Sequence, residues 1–246
     1  MSVRERRSRA RGQHFLRSSA LAADIVRAAE VRPGDLVVDL GAGTGVLTAA
    51  LARAGARVVA VELDRGLAAQ LRRRFPQVVE GDARRVPLPR EPYRVVANLP
   101  FEGSTAILRR LLADPPLVSA DVILQWEVAA KRTAVWPTTA LGVVWGVSFD
   151  LALVRRVPRD AFAPPPAVDA GVLRATRRSE PLVSAPQLHA FVHFVDTGFR
   201  GGLRRVAPPL TLKRLGRDLG FPAHARPCDL DAPAWAALFR SVRRTG

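Results

Sequence analysis

Val37-Val38-Asp39-Leu40-Gly41-Ala42-Gly43-Thr44-Gly45 runs from an apolar strand into a glycine loop, and a helical pattern follows to about Ala54. Glycines let the backbone approach a ligand closely, and a helix N-terminus presents free N–H groups to it. A tight turn in an α/β protein could use the same residues. The nicotinamide fingerprint requires Gly-x-Gly-x-x-Gly. Here the pattern is Gly-x-Gly-x-Gly, with Val46 where the third glycine would stand, which disfavours that cofactor.

Outward from this loop the chain keeps a βα rhythm. Strands are predicted over 36–40, 57–62, 77–80, 93–97 and 118–125, with helices over 66–75 and 104–112 between them. Upstream, a helix begins near Ser18 or Ser19, either of which can cap it, carries Leu21, Ile25, Val26 and Ala29 on one side and stops at Pro33-Gly34. The strand runs are apolar without alternation, which indicates a mostly parallel sheet covered on both faces. Three later runs, 141–149, 152–157 and 168–175, also read as strands and suggest hairpins or antiparallel additions. Beyond Pro181 and Pro186 the pattern turns helical over 188–199, 210–219 and 233–239. The expected organisation is a basic arm over 1–17, an α/β catalytic domain over 18–178 and a small helical domain over 179–246.

Polar residues collect where the predicted strands end. Glu62 closes the second strand and can accept both hydroxyls of a ribose; Asp64 is better placed to cap the next helix. Asp82 follows the third strand and could accept from an adenine amino group, although a turn-forming role would suit it in isolation. Asn98-Leu99-Pro100-Phe101 follows the fourth. Ligands bind along that edge of an open parallel sheet. The Asn98 oxygen and the carbonyl of Leu99 or Pro100 can accept the two N–H groups of a planar exocyclic amine. Pro100 fixes the turn, and Phe101 offers a face for a base. A neutral amine attacking an electrophilic methyl needs no strong general base, so the lack of a catalytic His or Cys fits that chemistry.

Charge adds a partner. The 246 residues carry 38 Lys+Arg against 22 Asp+Glu, a net charge of +16, which favours a polyanion such as RNA. Arg4, Arg6, Arg7, Arg9 and Arg11 fill the N-terminal arm, and residues 171–246 hold 13 Lys+Arg against 5 acids. Arg204, Arg205, Lys213, Arg214 and Arg217 are the candidate phosphate contacts; each alone could be a solvated helix face. The single cysteine, Cys228, excludes a disulfide scaffold and a cysteine-based zinc site. No metal site is expected. No stretch reaches about 20 apolar residues, so no membrane span is expected, and a cytoplasmic location follows as the default.

The combination resembles the rRNA adenine N6-methyltransferase family, which includes the Erm resistance enzymes and the small-subunit dimethyladenosine transferases. Gly12-Gln13-His14-Phe15-Leu16 is similar to that family's Gly-Gln-Asn-Phe-Leu signature, with His14 in place of Asn. The resemblance implies a Rossmann-like, S-adenosylmethionine-dependent methyltransferase sheet with a small C-terminal helical domain. It implies cofactor contacts at Gln13, His14, Leu16, Gly41, Gly43, Gly45, Glu62, Leu63, Asp82, Ala83 and Asn98. Asn98, Leu99, Pro100 and Phe101 match the target-amine motif, Phe101 standing where relatives often have Tyr. The 162–169 segment resembles Phe-x-Pro-x-Pro-x-Val; Phe162 is then either a second aromatic around the target base or a core anchor.

The length, the arginine-rich head and the 225–230 tail resemble actinobacterial Erm proteins. That branch methylates an adenine in the peptidyl-transferase loop of 23S rRNA and so blocks macrolide, lincosamide and streptogramin B drugs. The expected partner is 23S rRNA before full large-subunit assembly, met by a monomer without an obligate protein partner. The alternatives are 16S rRNA dimethylation and a non-enzymatic RNA-binding or transcription factor on the same fold.

Overall fold

The computed structural model describes residues 14–134, 137–222 and 224–245. Contacts divide the chain into two compact units: one runs to Ala129 and adds Leu153–Thr176, and the other takes Ala130–Ala152 and everything from Arg177 on. Residues 130–152 therefore fold with the helical unit, although the sequence pattern assigned them to the α/β domain.

The first unit carries a sheet of seven strands in the order β4-β3-β2-β5-β6-β9-β7. They are β2 (Leu36–Leu40), β3 (Arg57–Glu62), β4 (Val78–Glu80), β5 (Tyr93–Asn98), β6 (Leu117–Gln125), β7 (Phe149–Val157) and β9 (Ala170–Arg177). The first five pair in parallel, and β9 lies antiparallel to β6. Strand order reverses between β2 and β5, so the loops after them splay to opposite sides and leave a crevice at the strands' C-terminal ends. A separate two-residue pair joins β1 (Phe15–Leu16) to β8 (Phe162–Ala163), Phe15 opposite Ala163 and Leu16 opposite Phe162. The last residues of the expected arm are thus sheet-bonded; residues 1–13, including Gln13, lie outside the described residues.

Local chemistry accounts for the helices of this unit. Ser18 caps α1 (Ser19–Ala28), its hydroxyl accepting from Leu21 N at 3.1 Å. Asp64 caps α3 (Arg65–Arg72), accepting from Gly66 N and Leu67 N. Between them α2 (Val46–Arg53) starts at Gly45, whose φ of 80° is left-handed. α4 (Ser104–Leu112) likewise starts from a left-handed Gly103. Every residue of β2 is buried, as its unbroken apolar run requires.

α5 (Trp126–Thr133), which the sequence reading lacked, follows β6 directly. The run expected as a strand over 141–149 is instead α6 (Ala140–Gly146), capped by the Thr139 hydroxyl on Gly142 N at 3.1 Å. A short apolar run does not distinguish strand from buried helix by periodicity. Val143 and Trp145 are buried there, and Val143 belongs to the core of the second unit.

That second core is built on Trp235 of α9 (Ala232–Thr245), fully buried with its Nε1 donating to Pro227 O at 3.1 Å. Phe199 of α7 (Leu188–Gly201) stacks on it with centroids 5.6 Å apart. A Cβ at Gly198 would clash with the Trp235 indole, which explains the glycine in mid-helix. α8 (Pro209–Leu219) buries Leu212 and leaves its polar side outward. Among the described residues no helix is long and apolar enough to cross a membrane, and no group of His, Cys, Asp and Glu could hold a metal ion.

Candidate active site

The crevice at the strand ends contains a cavity of about 480 Å³. Its walls include His14, Gly41, Glu62, Leu63, Asp82, Ala83 and the whole of Asn98-Leu99-Pro100-Phe101. Residues far apart in sequence thus meet because β2, β3, β4 and β5 all end on one edge.

Glu62 is buried, and both of its oxygens are held: Oε2 accepts from Gly43 N at 2.7 Å and Oε1 from Asp64 N at 2.8 Å. Each carboxylate oxygen keeps capacity for a further donor such as a sugar hydroxyl. Gly43 therefore acts through Glu62 and does not line the cavity. Gly45 and Leu16 do not line it either. A Cβ at Gly45 would meet Leu71 and Phe75, and Leu16, the second residue of β1, points into the core. Of the three loop glycines only Gly41 lines the cavity.

Asp82 has a competitor for its expected ligand. Arg84 donates Nε to both Asp82 oxygens at 3.0 Å and Nη2 to Oδ2 at 2.7 Å, and its backbone N–H meets Oδ1 at 2.9 Å. The Arg84 hydrogen bonds hold the Asp82 carboxyl at about 2, below its ordinary range. An adenine amino group reaching Asp82 has to share it with this guanidinium. Arg110 of α4 fixes the same loop from below, donating to the carbonyls of Ala83 and Val86. Neither arginine was legible as a site residue: the Arg110 contacts span 24–27 positions of sequence, and Arg84-Arg85 reads only as surface charge.

Asn98 presents the decisive geometry. Its Nδ2 donates to the His14 carbonyl at 2.7 Å. A carbonyl only accepts, so this bond fixes which end of the amide faces which way. Oδ1 is then left buried and without a hydrogen-bond partner. An unpaired buried acceptor costs roughly 1–3 kcal/mol unless a ligand supplies the donor. Phe101 sits beside it, 5.2 Å from the His14 ring and edge-on to Phe162 at 6.2 Å. Phe162 itself is fully buried in the core and lines no part of the cavity. Of its two sequence readings, this burial fits the core anchor.

Residues 4–209 match the ribosomal RNA adenine dimethylase family. The chain belongs to that family. Mycinamicin-resistance protein MyrB of Micromonospora griseorubida is 35% identical over 246 residues, covering 96% of this chain and 79% of its own. Ribosomal RNA small subunit methyltransferase A of Thermosynechococcus vestitus is 35% identical over 255 residues, covering 95% and 96%. Among solved structures, that of the 23S rRNA methyltransferase ErmE superposes with a TM-score of 0.84 at 31% identity, over 93% of this chain and 99% of that one. The protein is thus an S-adenosylmethionine-dependent rRNA adenine N6-methyltransferase on a Rossmann-like sheet. The cavity fits this donor. Glu62 is oriented and buried, Leu63 is 60% exposed beside it, and Asn98, whose oxygen is orphaned, is part of the same lining.

Asp39, below the glycine loop, is a second buried acid. Thr48 Oγ1 donates to its Oδ2 at 2.6 Å while Oδ1 has no partner. Burial raises its carboxyl from 3.8 to about 7. Between those two values the native state holds more protons than the unfolded chain, so rising pH lowers stability across that window. The linked difference is up to about 4 kcal/mol. Asp39→Asn removes the titration. In urea unfolding at pH 4.5 and 7.5, wild type is expected to lose stability at the higher pH relative to Asp39→Asn. Parallel pH dependences in the two proteins would contradict this assignment.

Proposed function

We propose that the protein methylates N6 of an adenine in the peptidyl-transferase loop of 23S rRNA and so confers resistance to macrolide, lincosamide and streptogramin B antibiotics. The observation that carries the chemistry is the buried, partnerless Oδ1 of Asn98 beside Phe101. That oxygen accepts one N–H of the target amine, and a main-chain carbonyl of Leu99 or Pro100 accepts the other. The nitrogen lone pair is then aimed at the methyl group. Phe101 covers the face of the extruded base. Glu62 takes the ribose hydroxyls of the cofactor, and Asp82, with Ala83 and Leu63, its adenine. S-adenosylmethionine supplies an electrophilic sulfonium methyl. Acceleration comes from alignment and polar stabilisation rather than from a strong base.

The choice of 23S rRNA rests on the likeness to the 23S rRNA methyltransferase ErmE, and that of drug resistance on the likeness to the mycinamicin-resistance protein MyrB. Expression in a macrolide-sensitive bacterium is expected to raise resistance to macrolides and lincosamides together. The methylated N6 projects into their shared site and has lost a donor. Resistance that persists with Asn98→Ala would assign the effect to occupancy of the RNA and overturn the enzymatic reading. We place the protein in the cytoplasm, acting as a monomer on rRNA before the large subunit is complete.

RNA contact is assigned to the second unit. Arg204, Arg205, Lys213, Arg214 and Arg217 are all exposed, and Arg214 is tied to the Ser241 hydroxyl at 2.7 Å. Exchanging four of them for glutamine is expected to weaken binding to many RNAs alike and to reduce the slope of log affinity against log salt by about 3. An unchanged slope would move the footprint off this surface.

A further inference from the structure

We infer that His14 is a positioning residue for methyl transfer, acting through Asn98; this rests on the role proposed for Asn98. Three contacts converge on it. Its Nδ1 lies 2.8 Å from the carbonyl of Pro164. That carbonyl only accepts, so Nδ1 carries the proton and the ring orientation is set. Its main-chain carbonyl receives the Asn98 Nδ2 at 2.7 Å. Its ring lies 5.2 Å from Phe101, tilted by 41°. The next residues, Phe15 and Leu16, form β1 and are clamped to β8 on the same proline segment, and Arg17 N donates to Ala161 O at 2.9 Å.

The order of dependence follows from these bonds. The Phe162–Pro164 segment fixes the His14 ring and backbone. The His14 carbonyl takes the amide nitrogen of Asn98, and the Asn98 oxygen is thereby turned to the side where the target amine docks. Without the ring anchor, the His14 peptide is free to swing. Asn98 then samples the flipped amide, which presents N–H donors where the N–H of the docking amine needs an acceptor. Such a state binds both substrates but does not align the reacting nitrogen. The loss therefore falls on the chemical step. The proline segment, remote from the cavity wall in sequence, acquires a function through this relay, and the buried Phe162 is part of its footing.

Single-turnover rates on a 23S rRNA transcript, with separate measurement of cofactor and RNA affinity, test the relay. His14→Ala and His14→Phe remove the donor to Pro164, and His14→Phe keeps a ring against Phe101. Both are expected to slow methyl transfer about ten- to a hundred-fold, with any fall in cofactor or RNA affinity much smaller than the fall in rate. His14→Asn, whose amide can donate to Pro164 O, is expected to recover most of the rate. His14→Phe combined with Asn98→Ala is expected to be no slower than Asn98→Ala alone, because the two residues act as one unit. Multiplying effects, a full rate in His14→Phe, or a loss confined to cofactor affinity would each overturn the inference. If His14→Ala does not fold, the Phe and Asn variants carry the same comparison. A normal rate in Asn98→Ala would instead remove the role of Asn98 on which this inference stands.

Discussion

Asn98→Ala is expected to lower the single-turnover rate of methyl transfer at least about a hundred-fold while leaving cofactor affinity within about twofold. The acceptor that disappears is worth roughly 1–3 kcal/mol, and misplacement of a reacting amine adds about two orders of magnitude. The fold should tolerate the change. Oδ1 has no partner to lose, and the one bond given up, to the His14 carbonyl, contributes about 1 kcal/mol. Thermal unfolding of the variant then shifts by only a few degrees. A near-wild-type rate in a folded Asn98→Ala protein would remove Asn98 from the reaction.

Gly43→Val is expected to weaken cofactor binding by about a hundred-fold or more. Gly43 has a φ of 58°, a conformation in which a β-branched residue is a rare outlier. The structure gives a different reason from the one the sequence suggested. A Cβ there would stand 2.7 Å from Phe15 Cδ1 and 2.9 Å from Cε1, so the added bulk strikes a cavity-lining ring rather than the ligand. The Gly43 N–H is also one of the two donors that orient Glu62. Overpacking and backbone strain of about 1–3 kcal/mol each act on that wall. Gly43→Ala carries the same clash with less strain, which keeps the comparison open if the valine variant unfolds. Calorimetry showing unchanged affinity in either folded variant would displace the cofactor from this loop.

The sheet was legible because its signals are local. Strand β3 and helix α4 fall where the sequence places them, since glycine, proline and charged residues punctuate continuous apolar runs. The 140–146 segment was misread for a physical reason: Val143 and Val144 favour a strand intrinsically, and only the surrounding core and the Thr139 cap make them helical. Several of the residues that line the cavity were likewise readable from polar groups at successive strand ends. Their wiring was not. That the Asn98 amide is oriented by a carbonyl 84 positions away, that Arg84 occupies Asp82, and that Phe162 supports Phe101 from inside the core are consequences of tertiary contact. Residue type alone carries none of them.

This active site is expected to deliver methyl groups to a 23S rRNA adenine. The purified protein, labelled S-adenosylmethionine and separate 23S and 16S rRNA substrates test it most directly, with the modified nucleotide located by mass spectrometry. Methyl label is expected on N6 of an adenine in the 23S peptidyl-transferase loop and none in 16S rRNA. Dimethylated adenines near the 3′ end of 16S rRNA, with 23S rRNA unmodified, would contradict it.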